Sequence, residues 1–252
     1  MGDKIDKEGE HVMIPKIIHY CWFGGNPLPT DVKQCIESWK KMCPDYEIRC
    51  WDESNFDVNA HPFTKAAYKA KAWAFVSDYA RLKVVYDNGG VYLDTDVELL
   101  KNLDSLREYQ CYIGVQQVGH LCTTGLGFGA TKSNPVVQQM LRKYDEITFS
   151  EERKTEFACP YLNNAVLEEL GYIYNEDDPV NLGGTLVLPP KYLDPVAPGD
   201  EMNLLRCEDT ISIHHYSASW MGNKTKLKRR IIRIIGQENV SKMKKIVQQY
   251  IK

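Results

Sequence analysis

Asp94 and Asp96 stand two apart, directly after the apolar run Val91-Tyr92-Leu93. At a strand end in an open α/β sheet, such a pair can hold a divalent cation through oxygen ligands. A cation there would neutralise a diphosphate leaving group. In a chain rich in carboxylates, an Asp-x-Asp alone also fits a solvated acidic turn. The strand before it argues for a site.

Ser77-Asp78-x-x-Arg81 lies on the segment preceding that strand. A spacing of three puts Asp78 and Arg81 on one helix face. They fit either a surface ion pair of little energetic weight or a pair in which Asp78 accepts from sugar or ribose hydroxyls and Arg81 faces phosphate. Trp22, just before Gly24-Gly25, fits a stacking platform for a nucleobase or a core side chain. In His214-His215-Tyr216-Ser217-Ala218-Ser219-Trp220, His215 is a candidate third metal ligand, and its neutral imidazole suits manganese. The alternative is a pair of packed or exposed histidines. Gly125-x-Gly127-x-Gly129 fits a phosphate cradle or a tightly packed strand.

The elements that must position these residues follow from periodicity. Residues 16–22 read as a buried strand ending at Gly24-Gly25. Asp31 caps a helix over 31–42, with Val32, Cys35, Ile36 and Trp39 on its apolar face, and Pro44 stops it. Residues 47–51 read as a second strand. This βαβ grammar predicts a largely parallel sheet with helices on its faces. A helix over 71–88 ends at Gly89-Gly90, and the short strand 91–93 runs into the aspartates. A strand over 111–117 and the glycine-spaced run precede helices over 135–147 and 162–170. Residues 186–188 and 210–214 are the last strand candidates. The tail reads as two helices, 224–235 and 239–251. With no repeat or low-complexity linker, the chain divides into a 1–12 extension, a single α/β domain over 13–223 and a basic tail over 224–252.

Composition narrows the class. The chain has 252 residues, 43% apolar and 26% charged, which excludes a disordered, collagen-like or coiled-coil protein. No apolar run is long enough to span a membrane. The first residues lack the apolar stretch of a signal peptide and the Ser or Thr that myristoylation requires at position 6. Eight cysteines include no Cys-x-x-Cys, so a zinc cluster is not expected. Without an export signal they read as reduced, buried side chains of a cytoplasmic protein. Residues 224–252 carry a net +9 and the rest −12. In that tail Leu227, Ile231, Ile234 and Ile235 face one way, and Lys228, Arg229, Arg230 and Arg233 mostly elsewhere. The pattern fits an anionic membrane surface or a helix pair packed on the domain. The acidic body argues against nucleic acid.

The ordered set Ile14-Pro15-Lys16-Ile17-Ile18-His19-x-x-Trp22-x-Gly24-Gly25, Trp51-Asp52-Glu53, Ser77-Asp78-x-x-Arg81, Gly89-Gly90-x-Tyr92-Leu93-Asp94-x-Asp96 and a late His-x-x-x-Ser-Trp resembles glycosyltransferase family 32. These DXD sugar-binding transferases include yeast α-mannosyltransferases and bacterial capsule enzymes. It is similar, more distantly, to the glucosyltransferase domain of the large clostridial toxins. The resemblance covers 14–104 and 210–220; between them only the glycine-rich strand is familiar. It implies a GT-A fold, Rossmann-like, with a nucleotide-sugar donor, a divalent cation (Mn²⁺ or Mg²⁺) and retention of anomeric configuration. By resemblance, Trp22 stacks on the base beside the Gly24 turn, and Ser77, Asp78 and Arg81 contact ribose, sugar or phosphate. Tyr92 supports the diphosphate, and Asp94 meets sugar and ribose. Asp96 ligates the metal together with Asp94. Trp220 closes over the leaving group. His215 falls where the toxins carry an acidic metal ligand. Arg81, Asp94 and Asp96 form the catalytic set.

The implied activity is hexosyl transfer from a UDP-sugar, with GDP-mannose open, to an oligosaccharide or lipid-linked saccharide. The implied setting is bacterial capsule or exopolysaccharide synthesis, on the cytoplasmic side and at the membrane surface. Residues 1–12 are expected to be a vector remnant or an extension without catalytic consequence. Two rivals share the motif. A haloacid-dehalogenase-type phosphatase would use Asp94 as nucleophile, Asp96 as general acid and Asp177-Asp178 as its acidic pair, leaving everything before the motif unexplained. The other rival is a non-catalytic sugar-binding protein.

Overall fold

The computed structural model describes residues 12–196 and 205–216. Its first unit is β1 (Ile17–Cys21), α1 (Thr30–Met42) and β2 (Glu47–Trp51), with β1 and β2 parallel. The apolar face of α1 is the expected one, Val32, Cys35, Ile36 and Trp39, all buried. The Trp39 indole donates to the carbonyl of Val97 at 2.7 Å, so the helix is tied to the sheet as well as packed on it.

Next come α2 (Pro62–Lys69) and α3 (Trp73–Asn88), then β3 (Gly90–Tyr92) and β4 (Val97–Leu99). Helix α2 was not evident in the sequence. It begins at Pro62, where the missing N–H costs nothing, and His61 accepts from the Phe63 amide. Lys71 takes φ +56, a left-handed turn that breaks α2 from α3, so α3 starts at Trp73 rather than at residue 71.

The chain continues through β5 (Cys111–Val115), β6 (Cys122–Ala130), α4 (Pro135–Asp145) and α5 (Cys159–Glu169). It then forms β7 (Val180–Asn181), β8 (Thr185–Leu188), α6 (Pro190–Leu193) and β9 (Ser212–His214). The main sheet has the order β2-β1-β3-β6-β5-β8-β7. Strand β1 is parallel to β2 and β3, and β5 to β8, while β6 runs antiparallel to both its neighbours and β7 to β8. The sheet is therefore mostly parallel in direction, with a reversed strand near its middle. Helices α2, α3, α4 and α5 cover one face around Phe63, Val76, Val85 and Val166. Helix α1, α6 and the loop around Leu103 cover the other, around Ile18, Trp39 and Leu186. Strands β4 and β9 form a separate antiparallel pair. All eight cysteines are unpaired and six are buried, as the composition predicts.

Strand β6 is buried along its whole length. A Cβ at Gly129 would lie 2.5 Å from the Tyr112 ring, so this glycine serves strand packing rather than a phosphate cradle.

His19, fully buried on β1, locks the junction between β1, β2 and α3. Its Nε2–H donates to the Gly89 carbonyl at 2.8 Å, and its Nδ1 accepts from the Trp51 indole at 3.0 Å. Burial, only partly offset by the bond to Gly89, pushes its pKa down to about 4. The unfolded chain takes up this proton near pH 6.5. Between these values the unfolded state binds more protons, so stability falls as pH drops through the window, by up to about 3 kcal/mol. Urea denaturation of His19→Gln between pH 7 and 4 is expected to show a flatter dependence than the unsubstituted protein. Equal slopes would assign the acid sensitivity to other groups.

Candidate active site

Arg81 occupies the middle of the site and is only 4% exposed. Its Nη2 lies 3.0 Å from Asp94 Oδ1 and 3.1 Å from Asp78 Oδ1. Its Nε donates to the Ser77 carbonyl at 3.2 Å, and Nη1 points to Cys159 Sγ at 3.6 Å. The guanidinium stands 4.9 Å above the Tyr92 ring, and the Tyr92 hydroxyl donates to Asp94 Oδ1 at 3.0 Å. A buried cation flanked by two carboxylates keeps its charge, and its pKa is raised well above the usual value because the neighbouring negative groups outweigh burial. Burial pushes Asp78 up to about 6, with Asp94 adding to the rise and Arg81 opposing it. Burial also raises Asp94 against the pull of Arg81.

Gly125 of β6 makes room for this cluster. A Cβ there would lie 2.8 Å from Asp94 Oδ2 and 3.3 Å from Arg81 Nη1. One glycine of the spaced run thus serves the site by its lack of a side chain.

Past Asp94 the chain turns, with the Val97 amide donating to the Asp94 carbonyl at 3.0 Å, and enters β4. Strand β9 pairs with β4 so that His214 stands opposite Val97. His214 Nε2 then meets Asp96 Oδ1 at 3.0 Å. One ligand atom from each of Asp94, Asp96 and His214 lies within 4.8 Å of the others. Two carboxylate oxygens and one imidazole nitrogen fit Mn²⁺ or Mg²⁺. Burial lowers the His214 pKa, but Asp96, Asp94 and Asp194 outweigh it and raise the pKa to about 9.

The sequence pointed to His215, and here the structure corrects it. His215 Nε2 pairs with Glu98 Oε2 at 2.9 Å and stays outside the cavity lining. His215, the first residue past β9, turns its ring to Glu98 instead of Asp96.

A cavity of about 630 Å³ opens beside these groups. Trp22, Ser77, Arg81, Tyr92, Asp94 and Asp96 line it, as expected of them. Asp78 does not; it serves Arg81 from within. Gly24 also lies outside the lining. Its amide donates to Glu53 Oε1 at 2.7 Å, and at φ +95 its bare Cα rests against the Trp73 indole. The sequence reading missed Trp73, His214 and Tyr216, which also line the cavity. Trp73 had a signal: it stands one turn before Ser77 on the same helix face. Asp177 and Asp178 belong to a turn capped by the Asn175 side chain, away from the lining. Trp220, residues 1–11 and the tail 224–252 lie outside the described residues.

A family model described as the glycosyltransferase sugar-binding region containing DXD motif matches residues 29–113. The chain is 30% identical over 153 residues to inositol phosphoceramide mannosyltransferase 3 of Schizosaccharomyces pombe, covering 59% of this chain and 40% of that protein. It is 25% identical over 222 residues to an uncharacterized glycosyltransferase of Acanthamoeba polyphaga mimivirus, covering 82% of this chain and 84% of that one. Over residues 29–113 the chain is similar to the DXD-containing sugar transferases, and it spans less than half the length of the mannosyltransferase it matches. Its fold is GT-A, shared with the solved structure of the PaToxG glycosyltransferase at a TM-score of 0.50 and 21% identity, over 62% of this chain and 70% of that one.

The phosphatase alternative is not favoured, because Asp94 Oδ1 is committed to Arg81 and Tyr92 rather than poised as a nucleophile. Removing Arg81 would strand two buried carboxylates. Arg81→Ala is expected to lower stability by about 3–5 kcal/mol in urea denaturation near pH 7. The deficit should shrink as pH falls toward 6, because without Arg81 the folded-state pKa values of Asp78 and Asp94 rise further and the stranded carboxylates take up protons. A pH-independent deficit would argue against this electrostatic origin.

Proposed function

We propose that the cavity binds a nucleotide sugar and that the enzyme transfers its hexosyl group to a saccharide hydroxyl with retention of configuration. The observation that carries this reading is the convergence of Asp94, Asp96 and His214 beside the buried Arg81. These three would hold a divalent cation, which when bound supplies countercharge to the donor diphosphate. Arg81 and the Tyr92 hydroxyl fix Asp94 before any ligand arrives, so little reorganisation is left for the reaction. Trp22 and Trp73 offer aromatic faces for the nucleobase, and the Ser77 hydroxyl suits the ribose.

As the anomeric C–O bond breaks, positive charge builds on the sugar and negative charge on the diphosphate. The carboxylates lining the cavity among the described residues are Asp94 and Asp96, both taken by the cation in this reading. That favours front-face substitution. The acceptor oxygen bonds the anomeric carbon on the side the diphosphate leaves, and the acceptor proton passes to the departing phosphate oxygen.

The donor is a UDP-sugar in this proposal, with GDP-mannose as the competitor that the mannosyltransferase relatives bring in. The acceptor is an oligosaccharide or a lipid-linked saccharide of capsule or exopolysaccharide type, met on the cytoplasmic side. The 224–252 tail would rest on anionic lipid. Among the described residues no helix is long and apolar enough to cross a membrane.

The test is nucleotide release from a panel of UDP- and GDP-sugars with Mn²⁺, with and without EDTA. Release from one donor is expected, abolished by EDTA and lowered by about 100-fold in Asp96→Ala. His214→Ala should lose about 10- to 100-fold, whereas His215→Ala should stay within about threefold of the unsubstituted enzyme. Equal losses in the two histidine variants would overturn the assignment of His214.

A further inference from the structure

His214 lacks the support a metal-binding histidine normally has. Such a ring usually donates its second nitrogen to a carboxylate, carbonyl or water, which fixes its orientation. Here His214 Nδ1 is buried and has no hydrogen-bond partner among the described residues. What packs against the ring is Tyr216, with ring centroids 4.1 Å apart and planes tilted by 59°.

Tyr216 is itself held in an unusual posture. Its backbone φ is +49, a left-handed conformation that non-glycine residues adopt rarely and only when their surroundings impose it. Its hydroxyl donates to Asp194 Oδ2 at 2.7 Å. Asp194 follows α6 and is 0% exposed. The same Oδ2 accepts from the Gln117 amide at 2.8 Å, and the Gln117 side chain donates to the Asp194 carbonyl at 2.7 Å. Its other oxygen, Oδ1, has no partner among the described residues. A buried carboxylate with an unsatisfied oxygen is a poor choice for stability alone. It does not line the cavity, so it cannot serve by touching the donor.

We propose that Asp194 is a positioning residue for the cation site: by holding the Tyr216 hydroxyl it clamps the Tyr216 ring against His214 and so aims His214 Nε2 at Asp96. The clamp stands in for the missing bond at Nδ1. It connects the end of β5, through Gln117, to a ligand on β9. This inference rests on the cation reading of Asp94, Asp96 and His214 given above.

The test is Mn²⁺ binding to the full-length protein without donor, followed by the loss of the free-ion electron paramagnetic resonance signal. Thermal unfolding in EDTA is measured alongside. Tyr216→Phe removes only the hydroxyl, and Asp194→Ala removes its acceptor. Each is expected to weaken Mn²⁺ binding about tenfold. Asp194→Asn keeps one oxygen that can accept both bonds and is expected to stay within about threefold of the unsubstituted protein. Tyr216→Phe should melt within a few degrees of it, so the pair Tyr216→Phe and Asp194→Asn decides the matter even where Asp194→Ala does not fold. In nucleotide release, the Mn²⁺ concentration for half-maximal rate should rise by the same factor. Equal Mn²⁺ affinity in Tyr216→Phe and the unsubstituted protein would overturn the clamp and leave the cation reading standing. A loss in Asp194→Asn as large as in Asp194→Ala would also overturn it, by pointing to charge rather than the hydrogen bond. An unsubstituted protein that binds donor but no Mn²⁺ would overturn the cation reading and the clamp with it.

Discussion

A guanidinium buried between two carboxylates is the constraint on which this site depends. Removing Arg81 from water is unfavourable unless its charge and its donors are matched inside the protein. Asp78 supplies one partner from the same helix and Asp94 the other from the end of β3, so α3 and β3 must meet in one register. The Tyr92 ring beneath and the Tyr92 hydroxyl on Asp94 add to the match. Gly125 on β6 completes it by leaving space. Asp94 is therefore oriented by the folding of the domain itself, with Oδ1 occupied and Oδ2 left over.

The second half of the site comes from a different sheet. The main sheet ends in Asp94, whereas His214 arrives on β9, paired to β4. Asp96 lies on the turn between them. Two carboxylates, one imidazole and the Arg81 guanidinium share this small stretch of the cavity wall. Such a wall suits a divalent cation and a diphosphate bound together better than either alone. The aromatic end, Trp22 and Trp73, is built on the β1 turn and the start of α3, so Trp73 and Arg81 reach the cavity from one helix.

The sequence by itself determined much of this. Helix α1, strand β2, the C-terminal end of α3 at Gly89 and the start of α4 at Pro135 follow from apolar spacing and from Pro and Gly at their boundaries, which act locally. The cavity-lining roles of Trp22, Ser77, Arg81, Tyr92, Asp94 and Asp96 were legible because each sits beside a strand end or on one helix face. Tertiary structure alone decided the rest. The reversal of β6 depends on which strands it pairs with, and no local pattern encodes pairing. Asp78 reads in sequence as a ligand contact or a surface ion pair, but burial makes it the inner partner of Arg81. The choice between His214 and His215 depends on the pairing of β9 with β4, which sets His214 opposite Val97 and beside Asp96 and leaves His215 to Glu98. Asp194 and Tyr216 carry no local signal at all. Their pairing arises only where α6 and the end of β9 are brought together in space, because long-range packing, not spacing along the chain, sets which polar groups are sealed from water.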